Sequence, residues 1–323
     1  MDNTQFKKTE IYKEITHNTM MHSIMLISSD TEMLDIYANN IVSTMFCTAA
    51  EKPCYKCAEC QKIAHKTMVD VLEYPTKGEV LKSDELSRML DTVYELPFEH
   101  DKKVYIISNF SSIDVLMQNK LLKTLEEPPA HAYFILKVDN ESVVLQTIKS
   151  RCQKIMLPKL DDNSLQECLN TLGADVNLVD EAMAFCGGSL AQAKQYINNP
   201  NFLDNVNFLL NMLQNLKKSW QVVDYASVLY NKKDEILDIL HIYLKVLQDA
   251  TYLALGLEDL ITLKTHVNQL KFIVEEYSLD AMSQMIKDVN LILEKLDRNC
   301  NYNSIIDEFL LGILEDKHKW PIS

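Results

Sequence analysis

The chain has 323 residues, of which 47% are hydrophobic and 24% are charged, and its formal net charge is −14. That length exceeds what one hydrophobic core usually organises, so we expect two or three domains, and the composition excludes a disordered or fibrous protein. The apolar runs are far shorter than the roughly 20 residues of a membrane span, and the N-terminal segment lacks the apolar core of a secretory signal. We therefore predict a cytoplasmic protein without a membrane segment.

The distribution of charge and of glycine argues against two classes of ligand, nucleic acid and phosphate, in particular parts of the chain. Residues 161–323 carry −11 of the net charge, with 13 Lys and Arg against 24 Asp and Glu, which disfavours nucleic-acid binding by this half. Only six glycines occur, and none lies within the first 77 residues. Phosphate-binding loops and dinucleotide fingerprints need glycine for the close approach of backbone to phosphate, so both are excluded near the N-terminus.

Residues 1–158 are predicted to form an α/β domain with a parallel sheet. Five short apolar runs alternate with stretches whose apolar residues are three and four positions apart, as strands and crossover helices do. The predicted strands are SIMLIS at 23–28, DVLEY at 70–74, VYIIS at 104–108, YFILKV at 133–138 and KIMLP at 154–158. The predicted helices lie at 32–50, 83–94 and 113–126.

Four cysteines follow the first predicted helix with the spacing C-x6-C-x2-C-x2-C: Cys47, Cys54, Cys57 and Cys60. Cysteines of cytosolic proteins stay reduced, and four thiolates at this density can close a tetrahedral shell around Zn²⁺. The alternative of four buried, unliganded thiols is disfavoured by the polar residues between them. Because four protein ligands leave no position for a reactive water, we predict a structural zinc module at 47–60 and no catalysis there.

The remainder of the chain is predicted to be helical. Residues 159–200 contain short helical stretches interrupted by glycines, which indicates a small helical domain. Residues 201–323 contain a single proline, at 321, and are predicted to form an all-helical bundle. One apolar stripe of this bundle comprises Ile236, Ile239, Leu240, Tyr243, Leu244 and Leu247.

Three segments resemble bacterial clamp-loader subunits of the delta-prime, gamma and tau group. They are NKLLKTLEEPPAHAYFILKV at 119–138, LQTIKSRCQKIMLP at 145–158 and GGSLAQA at 187–193. The placement of the cysteine module resembles the same group, and KLDRNCNYNSIIDEFLL at 295–311 is more loosely similar to the end of delta-prime chains. The resemblance implies an AAA+-like α/β domain with an inserted zinc knuckle, a small helical lid domain and an all-α C-terminal collar bundle.

The groups that handle nucleotide in gamma and tau are missing from this sequence. In those subunits a Gly-rich loop with a lysine cradles the phosphates, and an acidic pair after a later strand holds magnesium. Here SSDTEMLDIY at 28–37 has neither glycine nor lysine and places Asp30 and Glu32 where phosphate would need positive charge. SNFSS at 108–112 replaces the acidic pair, and Ala191 replaces an ATP-sensing arginine. We therefore expect no ATP in the chain's own site, as is typical of delta-prime subunits.

One arginine of the family pattern is retained, in the motif Ser150-Arg151-Cys152. The resemblance implies that Arg151 projects at a subunit interface toward the γ-phosphate of ATP held by a neighbouring gamma or tau subunit. A guanidinium suits this catalytic role in trans because it is always charged and offers a planar fork of donors. The alternative is that Arg151 pairs with a surface carboxylate near a strand end.

The resemblance implies the function of a stator in the DNA polymerase III clamp loader. Such a subunit is not an enzyme by itself. In a heteropentamer with delta and three gamma or tau subunits, it helps to load the sliding clamp on primed DNA during replication. Two alternatives remain open: a gamma- or tau-like ATPase, and a zinc-dependent nucleic-acid-binding protein unconnected with clamps. The acidic balance and the few basic and aromatic clusters near the cysteines oppose the second alternative.

Overall fold

The computed structural model describes residues 6–77, 80–298 and 300–321. Five parallel strands form one sheet in the order β2-β3-β4-β1-β5. The strands are β1 Ser23–Ile27, β2 Val71–Tyr74, β3 Lys103–Ile107, β4 Ala132–Val138 and β5 Gln153–Met156. Each begins within one residue of the start of a run predicted from the sequence, so the predicted parallel sheet is confirmed.

The central strands are buried on both faces of the sheet. Every residue of β1 and of β3 is buried, which explains why four of the five residues in each strand are apolar rather than alternating between apolar and polar. In the ladder between β1 and β4, Ser23 lies opposite Phe134 and Ile27 lies opposite Val138. Because all five strands are parallel, their carboxyl ends lie at one edge of the sheet and their amino ends at the opposite edge.

Six α-helices occur among the described residues up to β5: α1 Glu10–Thr16, α2 Thr31–Phe46, α3 Ala58–Ala64, α4 Ser83–Thr92, α5 Val115–Glu126 and α6 Gln146–Lys149. The three predicted helices correspond to α2, α4 and α5. The second helix ends at Phe46, before its predicted end, because Cys47 adopts an extended backbone that starts the cysteine module. The fifth helix ends at Glu126, directly before the proline pair at 128–129.

After β5 the described residues form helices and connecting turns, with no further strand among them. The helices are α7 Asp162–Asn170, α8 Val176–Phe185, α9 Leu190–Asn198, α10 Phe202–Asn215, α11 Ser219–Tyr230, α12 Ile236–Ala254, α13 Val267–Glu276, α14 Leu279–Asp297 and α15 Tyr302–Lys319. Five residues of the predicted stripe on α12 are buried, and Leu244 is half-buried. The prediction that the C-terminal part is helical is therefore confirmed.

The chain divides into two compact units. The first comprises residues 1–168 and 188–192, and the second comprises residues 169–187 and 193–323. The sheet and the cysteine module lie in the first unit, and helices α10 to α15 lie in the second. The finer division into domains at 1–158, 159–200 and 201–323 stays a prediction. Within the described ranges, no helix combines the length and the apolar content needed to cross a lipid bilayer.

Candidate functional site

The four predicted metal ligands come together in the first unit. Their sulfur atoms all lie within 4.8 Å of one another. In a tetrahedral shell with Zn–S bonds of about 2.3 Å, the sulfurs are about 3.8 Å apart, so this spacing suits a metal ion of that size. The cluster lies between the end of α2 and the first turn of α3, and two of its members are buried: Cys47 and Cys60.

Backbone amides of the module point at the sulfurs. The amide of Cys54 donates to Sγ of Cys47 at 3.4 Å, and the amides of Lys56 and Cys57 donate to Sγ of Cys54 at 3.5 and 3.3 Å. The tight turn that aims them requires a positive φ of 56° at Tyr55. Such donors stabilise negative charge on the thiolates and orient them. The cysteine cluster can therefore bind a metal ion.

The local environment shifts the pKa values of two of these thiols in opposite directions. Burial raises the pKa of Cys57, but backbone and thiol hydrogen bonds outweigh it and lower that pKa to about 6. Burial raises the pKa of Cys60 to about 12. A metal ion that binds all four sulfurs must therefore displace at least the proton of Cys60, which makes metal affinity dependent on pH.

The loop after β1 differs from a phosphate-binding loop in structure as well as in sequence. Asp30 begins α2, and its Oδ1 accepts hydrogen bonds from the amides of Glu32 and Met33 at 3.1 and 3.3 Å. In a phosphate-binding loop, amides at this helix N-terminus hold the phosphate. In this chain a carboxylate of the protein itself takes these amides.

The same carboxylate also binds a distant segment of the first unit. Oδ2 of Asp30 accepts from the amide of Leu190 at 2.6 Å, and Oδ1 accepts from the amide of Ala191 at 3.3 Å. In the sequence, Asp30 and Ala191 are both departures from the nucleotide-binding pattern. Their contact is not predictable from the sequence, because no local pattern links residues separated by 161 positions.

A cavity of about 580 Å³ lies beside the carboxyl edge of the sheet, and its most buried cation is Lys137 of β4. The ammonium of Lys137 forms ion pairs with Asp35 and, at 3.0 Å, with Glu73. A second lysine, Lys66, binds the other oxygen of Glu73 at 2.8 Å. Burial raises the pKa of Glu73, but the two lysines outweigh it and lower that pKa to about 2. These residues belong to no sequence motif, although a lysine within the apolar strand YFILKV is a visible signal.

The acidic pair that would hold magnesium is also absent from the end of β3. Ser108 and Asn109 occupy those positions and line the cavity. The hydroxyl of Ser108 donates to Oε1 of Glu73 at 3.1 Å. The carboxylate of Glu73 therefore accepts a hydrogen bond from a hydroxyl and forms ion pairs with two lysines.

Arg151 lies at the amino edge of the sheet, between α6 and β5. Its Nε and Nη2 atoms donate to Oε2 of Glu126 at 3.2 and 2.8 Å, and Nη1 donates to the carbonyl of Thr147 at 3.0 Å. Its neighbours in the motif serve the local structure. The hydroxyl of Ser150 donates to the same carbonyl at 3.0 Å, and Cys152 is buried, which raises its pKa to about 12.

The strand order, the helix after β1 and the long helical C-terminal part define an α/β fold that is followed by a helical region. A crystal structure of a DNA polymerase III, gamma subunit-related protein from Thermotoga maritima has this fold. It has a TM-score of 0.51 at 15% sequence identity and covers 96% of this chain and 100% of the other.

Sequence comparison identifies the family of the first unit. Residues 4–161 match the family described as DNA polymerase III, delta subunit. The chain is 30% identical over 132 residues to DNA polymerase III subunit gamma of Buchnera aphidicola subsp. Baizongia pistaciae, covering 41% of this chain and 35% of that protein. It is 30% identical over 135 residues to DNA polymerase III subunit delta' of Haemophilus influenzae, covering 41% of each. Residues 4–161 therefore match a domain of the family described as DNA polymerase III, delta subunit, and the chain spans less than half the length of these two relatives.

Proposed function

We propose that this chain is a delta-prime-type stator of the DNA polymerase III clamp loader. It binds no ATP itself and presents Arg151 to the ATP of a neighbouring gamma or tau subunit. With delta and those subunits it helps to place the sliding clamp on primed DNA. The similarity to delta' and gamma subunits supports the assembly in which the chain would act.

The observation that carries the proposal is the separation of Arg151 from the chain's own phosphate-loop position. The loop at 28–30 follows the carboxyl end of β1, whereas Arg151 precedes the amino end of the neighbouring strand β5. A strand of five residues spans about 16 Å. A guanidinium at the amino edge is therefore too far away to serve a phosphate at the carboxyl edge of the same sheet, but it is accessible to a second molecule.

The pairing of Arg151 with Glu126 is compatible with this role. The side chain of Arg151 is 29% exposed and that of Glu126 is 57% exposed, so the pair is partly solvated. Pairs of this kind contribute only about 0–1 kcal/mol to stability. A phosphate with two or three negative charges can therefore replace the carboxylate of Glu126 at low energetic cost.

We further propose that the cysteine cluster holds one structural Zn²⁺. Cys47, Cys54, Cys57 and Cys60 would supply all four ligands, so the ion would stabilise the module and have no open position for a substrate. The amides that donate to Cys47 and Cys54 would orient these ligands.

The C-terminal helices are proposed to be the collar through which the subunits assemble. Helix α11 exposes large apolar side chains, with Trp220 63% and Val223 70% exposed. Exposed apolar surface of this kind is typical of interaction sites. Contact with the gamma or tau and delta subunits would cover it.

The decisive experiment is reconstitution of the chain with gamma or tau and delta, followed by measurement of ATP turnover in the presence of clamp and primed DNA. Arginine fingers of other ATPases contribute roughly 10³ to 10⁵ in rate, so Arg151→Ala should nearly abolish turnover at the site it serves. Arg88→Ala is the control, because Arg88 is an exposed arginine on α4 of the first unit, outside the Arg151 motif and the proposed collar. Unchanged turnover with Arg151→Ala would refute the role in trans.

A further inference from the structure

Asp30 joins the start of α2 to residues 190 and 191, which belong to the same unit. Its carboxylate accepts four backbone hydrogen bonds, two from α2 and two from the start of α9. The residue is only 8% exposed. The donors from the two segments lie about 160 positions apart in sequence.

The chemistry of this contact is that of anion binding. The first amides of a helix have no partner within the helix, and together with the helix dipole they favour a negative charge. Hydrogen bonds to an ionised acceptor are roughly twice as strong as those between neutral groups. One buried carboxylate thus satisfies amides of both helices, as an oxygen-rich anion between them would.

A glycine precedes the amides of Leu190 and Ala191. Gly188 adopts a φ angle of 83°, which other residues adopt only with strain. The turn leads directly into Leu190 and Ala191, whose amides meet Asp30. The segment GGSLAQA, which resembles an ATP-sensing segment, therefore binds an anion in this structure. That anion is the carboxylate of Asp30.

We propose that Asp30 is a built-in substitute for a nucleotide phosphate. Its carboxylate fastens residues 188–192 to the start of α2 without any bound ligand and excludes phosphate from that position. The inference rests on the proposed function in one respect: it takes α2 as the helix that would receive phosphate. According to the proposal, Asp30 both excludes nucleotide and attaches segment 188–192 to α2.

Asp114 shows what an ordinary helix cap does in the same unit. It begins α5 and accepts from the amide of Met117 at 2.8 Å, within its own helix. Asp114→Ala therefore removes a cap without touching segment 188–192 and is a matched control. Asp30→Ser is the sharpest test variant, because serine still caps a helix but is too short to bridge to a second one. Asp30→Asn keeps the length and removes only the charge.

The first measurement is hydrogen exchange of the full chain, resolved on peptides that cover 188–192 and 30–34. We expect Asp30→Ser to raise exchange in 188–192 about tenfold or more, Asp30→Asn to raise it less, and Asp114→Ala to leave it unchanged. Equal exchange of 188–192 in Asp30→Ser and in the unsubstituted chain would overturn the proposal. So would an equal rise with Asp114→Ala.

The second measurement adds inorganic phosphate, with sodium chloride at the same ionic strength as the control. Phosphate should restore the protection of 188–192 in Asp30→Ser and have no effect on the unsubstituted chain or on Asp114→Ala. If phosphate acts equally on all three, or on none, Asp30 does not stand in for phosphate. ATP turnover with Arg151→Ala is independent of these results, so a failure here is distinguishable from failure of the proposed function.

Discussion

The Nε and Nη2 atoms of Arg151 both donate to one carboxylate oxygen of Glu126, at 3.2 and 2.8 Å. Glu126 is the last residue of α5, and Arg151 follows α6, so the pair links two crossover helices at the amino edge of the sheet. The pair holds the guanidinium in a defined place while leaving it partly exposed.

Removal of the charge of Glu126 should not impair the proposed role of Arg151. We expect Glu126→Gln to change the free energy of unfolding by less than about 1 kcal/mol, because the pair is partly solvated. ATP turnover of the reconstituted complex should stay at or above the original rate, since Arg151 is released toward the neighbour's phosphate. Urea unfolding and a steady-state ATPase assay measure the two effects. An equal loss of turnover in Glu126→Gln and Arg151→Ala would show that the pair, rather than the guanidinium, is needed.

The isolated chain should not bind ATP with micromolar affinity. The amides at the start of α2 already bind Asp30, and the loop after β1 contains neither the glycines nor the lysine of a phosphate-binding loop. Titration with a fluorescent ATP analogue in the presence of magnesium tests this, with an isolated gamma or tau subunit as the positive control. Saturable binding in the micromolar range would favour the alternative of a gamma- or tau-like ATPase.

Removal of one cysteine should release the metal. We expect one zinc ion per chain, and we expect Cys54→Ser to lose it together with about 2–5 kcal/mol of stability, because metal binding is coupled to folding. Cys300→Ser is the matched control, since Cys300 is exposed and lies outside the cluster. Elemental analysis and thermal unfolding report the two effects. Freshly purified protein without metal would contradict the prediction.

The ion pair between the buried Lys137 and Glu73 should make the free energy of unfolding depend on pH. The folded-state pKa of Glu73 is about 2 against an ordinary 4.5, so its contribution is present above pH 4.5 and is lost as pH falls toward 2. Lys137→Met should cost about 1–3 kcal/mol at pH 7, allowing for partial solvation of its partners.

Because the pKa of Glu73 then rises toward its ordinary value, the Lys137→Met variant should lose less stability than the original chain between pH 5 and pH 3. Urea unfolding at several pH values gives this difference. Lys295→Met is the control, since Lys295 pairs with Glu308 and both side chains are largely exposed. An unchanged acid dependence in Lys137→Met would rule out this coupling.

Two neighbouring carboxyl groups in the helical bundle, Asp316 and Asp288, should make stability depend on pH in the direction opposite to Glu73. Burial first, and then the neighbouring carboxylate of Asp288, raise the pKa of Asp316 to about 6. A raised carboxyl pKa means that stability is present at low pH and is lost as pH rises from 3.8 through 6. Asp316→Asn should therefore stabilise the protein by about 1–2 kcal/mol at pH 7, and this gain should vanish below pH 4.

Thermal unfolding at pH 4 and pH 7 tests the prediction for Asp316. Glu315→Gln is the matched control, because Glu315 is the adjacent acid on α15 and is exposed. It should change stability by no more than about 0.5 kcal/mol at either pH. A gain that is the same at both pH values would exclude titration of Asp316 as its cause.

The sequence by itself determined the strands of the parallel sheet and the members of the cysteine cluster. Strands such as SIMLI and KVYII are almost entirely apolar because both faces of a parallel sheet are buried, so their pattern is local and readable. The cysteine spacing is equally local. Within 14 residues the chain can bring Cys47 and Cys60 together only by folding back on itself, as the structure shows.

Only the tertiary structure decided the partners of the charged residues. Asp30 was recognisable as a charge that opposes phosphate, but its bonds to Leu190 and Ala191 depend on a turn 160 residues away. The pairing of Lys137 with Glu73 depends on two strands that are separated by β3 in the sheet. Local propensity and periodicity determine which segments form strands and helices, whereas the choice of partner for a carboxylate or an ammonium depends on which segments packing brings within about 3 Å of it.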